Sequence, residues 1–203
     1  MKSVSISLLN APERASFYSF LATVISAPPT DDTVWGIRQM APAFGLSFPF
    51  EFSLRDLSRE YLQLFVVANP RLVTLDESAF RDCTSSGCGE ACERTGAQAG
   101  VVPVDGASAQ DLWRRYREER LACNTETGGR LGSELRFMAY LWRRQESASA
   151  NESQILSRIR ARFRERHLLT SIDRLSKKVS ENDRLGYYAT AFKVVEAVVE
   201  GDV

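Results

Sequence analysis

The stretch EYLQLFVVANPRLVTLDESAF, Glu60 to Phe80, decides how the chain reads. Leu57, Tyr61, Leu64 and Phe65 recur at helical spacing, so one face of a helix over about Leu54 to Val67 is expected to be buried. Asn69-Pro70 stops it, because proline has no amide hydrogen and biases its predecessor away from helix. Asp76, Glu77, Ser78 and Phe80 follow in the first turns of a long connection. A buried helix that feeds a polar, aromatic-tipped segment is a common way to place binding groups.

Working outward, helix signals dominate. Phe17, Phe20, Leu21, Val24 and Ile25 follow helical steps with Pro12 near the start, and Ala27-Pro28-Pro29 closes that helix. Thr30 or Asp31 caps a weaker helix through about Ala41, followed by a connection punctuated by Pro42, Gly45 and Pro49. Residues 69 to 107 have little periodicity, and a connection of that length suggests a functional loop. Ser108 caps a helix carrying Leu112, Trp113, Tyr116 and Leu121. Leu131 to Trp142 is apolar almost all round and reads as the central buried helix. After a polar linker, Glu146 to Asn151, come a helix with Ile155, Ile159 and Phe163 inward, one over about Leu169 to Val179, and a last seam of Leu185, Tyr188, Phe192, Val195 and Val199. The expectation is an all-α, bundle-like single domain over residues 1–203, with one long loop at about 69–107.

Composition narrows the function. Hydrophobic residues make up 44% and charged ones 26%, ordinary proportions for a soluble globular chain. Lys+Arg and Asp+Glu number 26 each, so the overall field does not favour nucleic acid. Residues 134–178 are locally basic, with 11 Lys/Arg against 5 Asp/Glu. There Arg158, Arg162 and Arg166 share a stripe that reads as a solvated face, since Glu165 interrupts it and no stacking aromatics accompany it. No apolar run is long enough to span a membrane, and MKSVSISLLNAPERAS lacks the pattern of a secretory leader. Four cysteines without a leader point to a reducing compartment, with the cytoplasm the expected location.

Cys83, Cys88 and Cys92 are spaced C-x4-C-x3-C, with Cys123 further on. Thiolates in that number are able to hold zinc or an iron–sulfur cluster, but the tight C-x2-C knuckle of structural zinc sites is absent. Loop thiols are the plainer reading, and no metal or cofactor is expected. His167 is the sole histidine; no G-x-S-x-G elbow, H-E-x-x-H or P-loop accompanies it, so catalysis is not expected. Asp76, Glu77 and Glu134 beside apolar residues suit a partner with paired guanidinium groups and an apolar helical segment, because Arg–carboxylate pairing is bidentate and charge-assisted.

Three blocks in order carry a family resemblance. E-Y-x-x-L-F at Glu60–Phe65 followed by Asp76-Glu77-Ser78-Ala79-Phe80, then LGSELRFM at Leu131–Met138, then FRERHL at Phe163–Leu168 resemble the motifs of the TorD/DmsD/NarJ family of cytoplasmic molybdoenzyme-assembly chaperones. The resemblance implies a TorD-like helical bundle that is not an enzyme. It also implies a protein of anaerobic respiration that binds the leader or body of a molybdopterin oxidoreductase subunit, supports cofactor insertion and delays twin-arginine export. Client contact would fall to Tyr61, Phe65, Asp76, Glu77, Ser78, Phe80, Glu134, Phe137, Met138 and His167, as a monomer or homodimer. Gly129-Arg130 stands where the family often carries an Asp-His pair. The competing reading is a helical metal or redox sensor using Cys83, Cys88 and Cys92, with Cys123.

Overall fold

The computed structural model describes residues 9–48, 52–76, 114 and 131–202. All of the extended elements among them are helices, and the fold is all-α. In chain order they are α1 (Ala11–Ser26), α2 (Asp31–Met40), a 3-10 turn (Ala41–Phe44), α3 (Leu54–Phe65), α4 (Leu131–Gln145), α5 (Ala150–Phe163), a π-helical segment (Arg164–Leu168), α6 (Leu169–Asn182) and α7 (Tyr187–Gly201). Of the helix expected after Ser108, only Arg114 is described, and it is helical; the remainder of that helix and most of the expected loop lie outside the described residues.

Local chemistry sets the helix starts. Asn10 and Glu13 form a reciprocal capping box ahead of α1, with Pro12 in its first turn, where a missing amide hydrogen costs nothing. Thr30 with Thr33 does the same for α2, and Ser149 with Glu152 for α5. Ser53 caps α3 by accepting from the Asp56 amide. Two glycines hold left-handed backbone: Gly45, closing the 3-10 turn at φ 73°, and Gly186, entering α7 at φ 77°.

The core forms around α4 and α7. Helix α1 lies along α4, burying Tyr18, Leu21, Ala22 and Ile25 against Leu131, Leu135, Met138 and Trp142. Gly132 allows a close approach: a Cβ there would sit 2.1 Å from Ser26 Oγ. Buried residues occupy most of α4, while Arg136, Arg143 and Arg144 keep one edge in water. Helix α7 is packed against α6 and buries Tyr187, Tyr188, Phe192, Val195 and Val199.

One helix face differs from the sequence expectation. Ile155 is 49% exposed and Ile159 only partly buried; the inward seam of α5 is Leu156, Arg160 and Phe163. The cause is Arg160, whose guanidinium lies 3.6 Å from the Trp142 ring centroid and bonds Gln145 and Ser157. Stacking on an aromatic face lets an arginine occupy a core position that residue type alone assigns to solvent. The chain also runs without a break in helix from α5 through the π segment into α6, rather than as two separate helices.

Candidate functional site

The site is built on the buried face of α3 and the segment that leaves it. The helix ends at Phe65, earlier than the proline requires, and Asn69 satisfies its last carbonyls: the side-chain amide donates to Gln63 O at 2.7 Å and Val67 O at 2.6 Å. The Asn69 carbonyl oxygen in turn accepts from the Arg71 amide. This cap turns the chain back along α3, where the Val73 amide donates to Leu64 O at 2.7 Å and the Val73 side chain is buried. Two residues later Leu75 O accepts from the Leu131 amide at 3.0 Å, at the first residue of α4. The stretch 66–76 therefore bridges α3 to the start of α4, and Asp76, half-buried, sits at that junction.

A polar node fixes the other side. Glu60, on the inward face of α3, receives both guanidinium nitrogens of Arg71 at 2.6 and 3.2 Å, and the Arg184 amide at 2.9 Å. Arg71 also donates to Asn182 O, the last residue of α6. Next to it Asp183 accepts from the Leu185 and Ala189 amides and anchors the entry to α7. Burial pushes the Asp183 carboxyl above its ordinary value, backbone hydrogen bonds oppose this, and the nearby Glu60 charge adds to the rise. One ion pair thus ties the 66–76 stretch, α3 and the α6–α7 turn together.

The aromatic members of the site face inward. Tyr61 and Phe65 pack with Tyr188 and Phe192 of α7, ring centroids 5.3 to 6.0 Å apart. Tyr188 donates its hydroxyl to Leu57 O, and burial pushes its phenol far above the usual range. Phe137 meets Phe163 edge-on at 4.8 Å, and Phe163 stacks on the His167 ring at 4.6 Å. Glu134, Phe137, Met138 and His167 are all enclosed in the core.

The sequence-based site residues thus fall into two groups, a Tyr61–Phe65 cluster under α7 and a Phe137–His167 cluster on α4, α5 and the π segment. Glu77, Ser78 and Phe80, like Cys83, Cys88, Cys92 and Cys123, lie outside the described residues. No group of potential metal ligands occurs among the described residues, and no described helix is long and apolar enough to cross a membrane.

Sequence reasoning passed over Glu60, Asn69, Arg71 and Asp183. A signal for Glu60 was present: it stands three residues after Leu57 and four before Leu64, a carboxylate at a core position of an amphipathic helix. The surface this scaffold presents is apolar. Leu62, Val66 and Val67 are 43%, 58% and 43% exposed where the chain leaves α3.

Comparison with protein-family models, with curated proteins and with solved structures finds no match for this chain.

Proposed function

We propose that the chain is a client-specific assembly chaperone that binds a molybdopterin-containing oxidoreductase subunit, holds it for cofactor insertion and delays its twin-arginine export. The observation that carries this reading is the hydrogen bond from Leu131 to Leu75. It joins the E-Y-x-x-L-F block and the L-G-x-E-L-x-F-M block through a stretch rigidly capped at Asn69. Beside that junction stand Asp76 and the exposed Leu62, Val66 and Val67, a carboxylate next to apolar surface. That combination suits a peptide with paired arginines ahead of an apolar segment. The buried aromatics support the platform from below.

The test is affinity purification from the native host grown anaerobically, with mass spectrometry of what co-elutes and metal analysis of the same sample. A large molybdopterin-binding subunit is the expected partner, and the Asp76→Lys variant should recover on the order of tenfold less of it, since one attraction becomes a repulsion. An eluate without such a subunit, with iron or zinc on the protein instead, would remove this reading in favour of a metal or redox sensor.

A further inference from the structure

Five arginines alternate along α5 and the π segment, and the structure sorts them into two sets. Arg160 and Arg164 turn inward: Arg160 onto Trp142, and Arg164 to the Val199, Glu200 and Asp202 carbonyls that end α7. Arg158, Arg162 and Arg166 are exposed and form no ion pair with another described residue. Ile155 and Leu169, 49% and 36% exposed, stand at the two ends of the same stripe. From Ile155 to Leu169 the stripe is about 21 Å long at the helical rise. It lies on a helix that continues unbroken to Asn182.

We infer that this stripe is a docking surface for an acidic amphipathic helix of a partner protein. Three guanidinium groups one turn apart match carboxylates at the same i, i+4, i+8 spacing, and the terminal Ile155 and Leu169 supply the apolar ends that such a helix buries. Nucleic acid fits less well. No exposed aromatic lies on the stripe to stack on bases, and the exposed Glu165 within it repels a phosphate backbone while leaving room for separate carboxylates. A membrane surface would require a broad apolar face where the stripe carries charge. The inference rests on the chaperone reading only for the identity of the partner, which would be the body of the client; the surface itself is argued from its charge and spacing.

Two experiments separate the claims. The first measures fluorescence anisotropy of a labelled synthetic helix carrying glutamates at i, i+4 and i+8 between leucines, titrated with the full chain. Binding should weaken on the order of tenfold or more in the R158E/R162E/R166E variant. It should persist in R158K/R162K/R166K and fall with added salt. Equal binding by all three proteins, or no binding, overturns the inference, as does tighter, steeply salt-dependent binding of an RNA or DNA duplex. The second repeats the anaerobic purification with the glutamate variant. A client recovered by the wild type and lost by the variant supports the inference. A client recovered equally by both overturns it and leaves the chaperone reading standing. No client with either protein counts against the chaperone reading alone, and the peptide titration then decides the surface.

Discussion

Asp202 accepts from three helices at once. Its carboxylate takes Arg14 at 2.7 Å, the Tyr18 hydroxyl at 2.7 Å and the Trp142 indole at 3.2 Å, and all of these groups are buried. Asp202→Asn keeps the shape and removes the charge opposite a guanidinium that is only 9% exposed. The expected loss is about 3 kcal/mol or more, because breaking one side of a buried pair strands the other; urea unfolding would measure it. Asp183 gives a prediction of the opposite sign. Its folded pKa is raised, so between that value and the ordinary carboxylate range the native state binds the proton that the unfolded chain has released. Stability therefore falls as pH rises through that window, and Asp183→Asn should flatten the slope there in pH-resolved denaturation. Neither role was legible from spacing. Asp202 has no apolar neighbour to mark it in sequence, and Asp183 precedes Gly186 like any loop residue.

At the scale of elements, the starts of helices were read well and their faces less so. Pro12 and Thr30 act through their immediate neighbours, so a few residues of sequence contain the whole interaction. The inward face of α5 depends on Trp142 in another helix, which periodicity within α5 does not contain. The contact of α2 with α1 is similar. Gly36 faces the Phe20 ring so closely that an added Cβ would lie 2.3 Å from its Cζ. Gly36→Ala should destabilise the protein by about 1 to 3 kcal/mol despite better helix propensity, as overpacking does. Adding Phe20→Leu should return part of that loss, and thermal unfolding of the single and double variants checks the coupling.

At the scale of the whole molecule, the phenols report on folding. Burial raises Tyr18 and Tyr188 well above the ordinary value and Tyr187 to about 12. A raised folded pKa contributes stability below the unfolded value near 10 that is lost as pH climbs through the folded one. Absorbance at 295 nm should therefore show these three of the six tyrosines ionising together with alkaline unfolding, while a partly exposed residue such as Tyr140 titrates earlier. Independent titration of all six near 10 would contradict the packing around α7. The all-α class was legible because long, strongly periodic segments dominate the chain. The joining of the Glu60 and Leu131 blocks was not, since one backbone hydrogen bond across more than fifty residues leaves no local signature.

The π-helical turn at Arg164–Leu168 sets a phase. Before it, Phe163 points into the core; after it, Ile172, Leu175 and Val179 do so against α7, and the wider turn reconciles the two. Deleting one residue there would restore an ordinary helix and rotate everything downstream by about 100°. Ile172, Leu175 and Val179 would swing toward water while Asp173 and Lys177 turned inward. A tolerated alanine scan of these five positions and an untolerated single-residue deletion would then coexist in one segment, because what it encodes is a count.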